Sequence, residues 1–186
     1  MDAQGPSVLD FRTVFAGTDE AASKIHGLST EAAFSERLTD YLALRGSTTF
    51  FLQAVSGAAV EVDVLHQYVE KSPDKGNILR RLSRLYVRHA HNIIVVAESA
   101  VLLSFFDTAQ QQKLIACKDG IGKLLDPANS GLLQKDDIET IQVNAPPSLR
   151  TDLDWAISRH FALKFKGVHC AEIREIVNNQ SLERAE

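Results

Sequence analysis

The chain has 186 residues, 45% of them apolar and 24% charged, which suits one soluble domain with a real hydrophobic core. A formal net charge of -4 argues against nucleic-acid or membrane-surface partners, since both select concentrated positive charge. The two cysteines, Cys117 and Cys170, lie far apart and exclude a disulfide framework or a four-cysteine zinc site; they read as reduced thiols of a cytoplasmic protein.

The opening MDAQGPSVLDF has no basic region followed by an apolar stretch, so it does not read as a signal peptide. No apolar run reaches the roughly 18 residues of a membrane span. Residues 1–30 form an N-terminal extension broken by Gly5, Pro6, Gly17 and Gly27. Ser29 or Thr30 is placed to cap a helix that begins EAAF and carries Leu38, Tyr41 and Leu42 at helical spacing. Arg45-Gly46 ends it, and TTFFLQAV, opening at Ser47, predicts a second short helix that stops at Ser56-Gly57.

From residue 59 the period changes to two. AVEVDVLHQ alternates valines against Glu61 and Asp63, the pattern of a strand with one face in water. SPDKGN is a turn, and ILRRLSRLYVRH and NIIVVAESAVLL follow as two strands expected to pair antiparallel. TAQQQKLIACK predicts a helix ending at Asp119-Gly120, and IGKLLDP one more helical turn closed by Pro127. DDIETIQVN is a weaker strand, APPSLR is extended or turn-like, and RHFALKFKG with VHCAEIREIVN forms a final hairpin turning at Lys166-Gly167. The sum is a single α+β domain over residues 31–180, an antiparallel sheet with its helices to one side, and a short tail at 181–186.

His89-Ala90-His91 has the i, i+2 spacing that lets two imidazoles on a strand share a metal, but it falls at the expected hairpin tip, where exposed polar residues are ordinary. No metal is assigned to it. Phosphate-binding glycine loops, nucleophile elbows and dinucleotide fingerprints are all missing. DGIGKLL presents Gly120 and Gly122 either as amide donors for a carboxylate or as a tight helix-to-helix turn. On a continuous strand Arg84, Tyr86 and Arg88 share one face while Leu85 and Val87 face the core. Those arginines either line a cavity that recognises a carboxylate or pair in water with Glu61 and Asp63. Glu172, with Arg174 and Ile176 on one face of the last strand, reads as a general acid or as a paired charge.

In order and spacing these segments resemble the chorismate lyase (chorismate pyruvate-lyase) family, whose fold is shared by the UTRA effector-binding domains of some transcription regulators. The resemblance runs over roughly residues 38–178, from LTDYLALRGSTTFFLQAV through RLYVRHAHNIIVVAESAVL and DGIGKLL to KFKGVHCAEIREIVN. It implies a six-stranded antiparallel sheet and a buried cavity under helical flaps. It also implies release of pyruvate from chorismate to give a hydroxybenzoate, without metal or cofactor. Carried over by position, the family's first carboxylate-binding arginine matches Arg84, its glutamate Glu172, its amide-donating turn Ile121 and Gly122, and its flap residue Thr48. The second arginine falls on Glu98, an acid, which leaves Arg88 on the facing strand as the cation to replace it. Two functions are therefore expected: a lyase in which Glu172 protonates the ether oxygen and Arg84 orients a carboxylate, or a binding module that holds an aromatic carboxylate without cleaving it.

Overall fold

Ser35 opens the first helix of the computed structural model, which describes residues 35–87, 93–116, 119–145, 149 and 155–184. Its hydroxyl accepts from the Leu38 N–H at 3.1 Å, and Leu38 and Tyr41 turn inward from α1 (Glu36–Ala43). The helix start expected at Ser29 or Thr30 lies outside the described residues. In α2 (Thr48–Ser56), Ser47 takes the N-cap position and Gly57 ends the helix at φ 62°, a left-handed conformation that only glycine adopts without strain.

Valine-rich alternation then carries β1 (Val60–Ser72) into β2 (Gly76–Val87) through a turn with Gly76 at φ 74°, and β3 is Ile93–Leu102. A short 3-10 turn leads to α3 (Thr108–Ala116) and α4 (Ile121–Leu125). β4 (Leu133–Asn144) begins three residues before the predicted strand. β5 (Trp155–Phe165) and β6 (Val168–Val177) meet at Lys166 (φ 51°) and Gly167 (φ 80°), two positive φ values that suit the twist of a two-residue hairpin. α5 (Asn179–Glu183) follows where the sequence reading placed the end of the domain, capped by the Asn178 side chain.

The expected architecture is observed. All six strands join one antiparallel sheet in the order β1-β2-β3-β6-β5-β4, two three-strand meanders stitched together where β3 pairs with β6. The helices gather on one face. At one end α1, α2 and α5 set Leu38, Tyr41, Leu52 and Leu182 on Val95, Ile157 and Val177. At the other, α3 and α4 press Leu114, Ile121, Leu124 and Leu125 on Leu79, Val101, Phe161 and Ile173. A smaller cluster of Leu82, Val96, Val143, Leu149, Ala156 and Ile176 is buried as well, so part of the sheet is covered on its other face. No helix among the described residues is long and apolar enough to cross a membrane.

Candidate functional site

Between the two helix groups the inner face of the sheet turns polar. On β2 the inward residues are Arg81, Ser83 and Leu85; β3 adds Ala97 and Ser99, β6 adds Ile173 and Glu175, and β5 adds Phe161. Lys135 at the start of β4 adds to the sheet's side, and the N-terminus of α2 (Ser47, Thr48, Thr49) and the Gly120-Ile121-Gly122 turn lie over the space. The cavity they line measures about 60 Å³. At roughly 10–15 Å³ per water, that is room for about four to six waters. A small acid is near that size, whereas a ring-bearing acid requires the two covering segments to part.

Glycine is what lets those segments meet. A Cβ on Gly120 would stand 2.8 Å from Thr49 Oγ1, and one on Gly122 would stand 2.9 Å from Ser47 Oγ. Ser47 Oγ itself is buried with no hydrogen-bond partner. The first N–H groups of α2 also lack partners within the helix, as at any helix N-terminus. Arg81, 1% exposed, spans the cavity floor; its guanidinium donates to Gln67 Oε1 (2.7 Å), the Asp119 carbonyl (2.9 Å) and the Leu114 carbonyl (2.5 Å).

Glu175 organises a second group of charges. Its carboxylate accepts from Thr48 Oγ1 at 2.6 Å and from Tyr41 Oη at 2.9 Å, with Lys135 Nζ at 3.7 Å and Arg159 Nη2 at 3.9 Å. Thr48 Oγ1 in turn accepts from Lys135 Nζ at 2.6 Å. Arg159 donates to the carbonyls of Tyr41 and Leu44 at the end of α1 and lies 4.5 Å from the centre of the Tyr41 ring. Burial alone would raise the Glu175 carboxyl, but Lys135, Arg159 and the two hydroxyl donors outweigh it and hold the group below the usual carboxylate range. Burial brings Lys135 down to about 7 despite Glu175, and Arg159 adds to that shift. Burial first, and Glu175 second, push the Tyr41 hydroxyl well above its ordinary value.

The residues singled out from sequence divide between the two faces. Thr48, Ile121 and Gly122 line the cavity. Arg84, Tyr86, Glu98 and Glu172 lie on the other face: Arg84 pairs with Asp63, and a hydrogen bond to Glu61 raises the Tyr86 hydroxyl. Glu98 stands opposite Leu82 and Arg174 in the sheet register, and Glu172 borders an outer groove of about 530 Å³ with Arg80 and His160. Arg84 and Glu172 thus stand across the sheet from Thr48, Ile121 and Gly122. The helices cover the odd-numbered face of β2, β3 and β6, which brings in Arg81, Ser99 and Glu175 instead, since a one-residue step along a strand swaps faces. Arg88, His89, His91 and Cys117 lie outside the described residues. Cys170 is buried, and burial pushes its thiol up to about 11.

The charges of the Glu175 group were given no role in the sequence reading. Lys135 precedes the alternation that marked β4, Arg159 opens the final hairpin, and Glu175 shared its motif with Glu172. A cation in a strand whose neighbours are apolar is the available signal, as in RHFALKF. Among the described residues Asp136, Asp137 and His169 also approach one another at the spacing of a metal site, but they lie toward the surface and Asp136 is already paired with Lys164.

No protein-family model matches the chain, and no curated protein matches its sequence. Solved structures do resemble it. They include a gene product of Staphylococcus aureus (TM-score 0.50, 13% identity, covering 72% of this chain and 90% of that one). They also include the ligand-binding domain assigned to a GntR-family transcriptional regulator of Bordetella bronchiseptica (TM-score 0.47, 13% identity, 64% and 85%). The effector-binding domain of the Bacillus subtilis trehalose repressor is a third (TM-score 0.44, 8% identity, 67% and 92%). What the chain shares with the Staphylococcus aureus protein is the fold, spread over most of both chains.

Proposed function

We propose that the protein binds a small carboxylate-bearing molecule in the cavity between the sheet and the α2 and α4 segments. The observation that carries this reading is the charged lining: among the described residues Arg81, Lys135 and one carboxylate, Glu175, line the cavity, with Arg159 3.9 Å from Glu175. Two more donors stand ready, the unpartnered Ser47 hydroxyl and the first amides of α2. The outer groove is larger, but Glu139, His160, His169 and Glu172 are exposed along it, and exposed charges hold ligands weakly.

Chorismate cleavage is the narrower reading, and Glu175 supports it less than it supports binding. A general acid must carry a proton near neutral pH, whereas Glu175 is held ionised.

Thermal unfolding in the presence of small aliphatic and aromatic carboxylates tests the proposal. A ligand at 100 times its Kd stabilises by about 2.7 kcal/mol, which is easily read as a raised Tm. Lys135→Met should weaken that binding about tenfold or more, and Glu172→Gln should leave it unchanged. If no carboxylate raises Tm, or if Glu172→Gln abolishes the effect, the cavity is not the binding site. Pyruvate released from chorismate, and lost in Glu175→Gln, would establish the lyase.

A further inference from the structure

We propose that Lys135 captures a small 2-oxo acid as a Schiff base, so that the cavity is a covalent carbonyl-binding site. The proposal rests on the carboxylate-binding reading and adds to it the chemistry of the ligand's second group.

Most lysines point their ammonium groups into water, where they are fully charged and poor nucleophiles. Lys135 does the opposite. It is 4% exposed, lines the cavity, and places Nζ 2.6 Å from Thr48 Oγ1, 3.7 Å from Glu175 Oε2 and 4.6 Å from the centre of the Phe161 ring. Its backbone is fixed as well, because the Lys135 N–H donates to the Arg45 carbonyl at 2.8 Å in the link between α1 and α2. A buried ammonium stabilises a fold poorly compared with an apolar side chain of similar volume, so its position calls for a chemical reason. Desolvation activates an amine, and with burial bringing the group to about 7, roughly half of it is the neutral nucleophile at neutral pH. An ordinary lysine holds less than about one part in a thousand in that form.

Imine formation needs a carrier that takes a proton from nitrogen and delivers it to oxygen, and Glu175 is an ionised carboxylate beside the amine. The Lys135 ammonium gives one proton to Glu175, and the neutral nitrogen attacks the carbonyl carbon. The C–N bond forms as the C=O π pair moves onto oxygen. Glu175 returns its proton to that oxygen, giving a carbinolamine. A second proton leaves nitrogen by the same carboxylate, the C–O bond breaks, and water departs. The iminium keeps the third proton, so the single positive charge beside Glu175 is unchanged. No oxidant or reductant is required.

The surroundings specify the rest of the ligand. A carboxylate next to the carbonyl would face Arg81 and the N-terminus of α2 within the same cavity. About 60 Å³ is near the size of a three- or four-carbon acid. Lactate, of similar size and charge but without a carbonyl, would bind only reversibly.

The test incubates the full chain with pyruvate or glyoxylate and sodium cyanoborohydride, which reduces imines to stable secondary amines, and maps the labelled lysines by peptide mass. Labelling at Lys135 should exceed that of any other lysine by at least about tenfold near pH 7 and should level off above that pH, where the others continue to rise. Urea-unfolded protein should lose the preference. Thermal shift with lactate runs in parallel. Lactate binding without a Lys135 adduct from either 2-oxo acid overturns the Schiff base and leaves the carboxylate site standing. Neither lactate binding nor an adduct overturns both. Labelling spread evenly over the lysines also overturns the Schiff base.

Discussion

Lys135 and Glu175 both titrate below their unfolded values, in ways that affect stability at different pH. In the unfolded chain a lysine loses its proton near 10.4, whereas in the fold burial brings Lys135 to about 7. Between those values the unfolded chain binds more protons than the folded one, so stability from this group rises with pH, by up to about 1.4 kcal/mol per pH unit. Glu175 works elsewhere. Its depressed carboxyl contributes stability that is present above the ordinary carboxylate value and is lost as pH falls through the folded one. Urea unfolding of the parent and of Lys135→Met between about pH 7.5 and 9.5 isolates the lysine. The parent should gain stability relative to the variant by about 1 kcal/mol or more per pH unit. Parallel pH profiles would mean that Lys135 keeps an ordinary affinity for its proton.

At the scale of elements, the α2 start and the Gly120-Gly122 turn interlock through atoms that leave no space for a methyl group. Gly122→Ala would place a carbon 2.9 Å from Ser47 Oγ and 3.4 Å from Leu133 Cδ2, and the residue lies at the start of a five-residue helix with little to absorb the shift. The expected cost is about 1–3 kcal/mol in urea unfolding, as for other overpacked sites, with weaker carboxylate binding as Ser47 is pushed aside. A stabilised variant with unchanged binding would show that the two segments do not meet as described. These elements were legible in the sequence because caps, glycines and changes of period mark their ends: Ser47 and Gly57 bracket α2, and Lys166-Gly167 turns the last hairpin. The covered face was not legible. β2 buries Leu79, Arg81, Ser83 and Leu85 on one side and Ile78 and Leu82 on the other, where Leu82 joins the smaller cluster with Val96 and Ile176. With apolar residues on both sides, alternation fixes which residues share a face and leaves open which face meets the helices. Lys135, Arg159 and Glu175 went unread for a related reason. Each looks like a solvated residue until its partners, distant in sequence, are brought together.

The whole molecule is strong at the centre of its sheet and thin above its cavity. β3 and β6 join the two meanders, and Val95, Val96, Ile176 and Val177 along that seam are 0% exposed. Over the cavity α4 has one and a half turns, held by Ile121, Leu124 and Leu125. Lys135 and Glu175 are buried beneath this cover, and a ligand's approach to them should draw on its opening, at the low end of the molecule's range of local stabilities. Amide hydrogen exchange reads this directly. The N–H groups of Leu124, bonded to the Gly120 carbonyl, and Asp126, bonded to the Gly122 carbonyl, should exchange at least about 100-fold faster than those of β3 and β6. A bound carboxylate at 100 times its Kd should slow them by up to about 100-fold, since the opening must then wait for release. Exchange of α4 as slow as that of β3 would mean that the cover opens only when the whole sheet unfolds, and the ligand would need another way in.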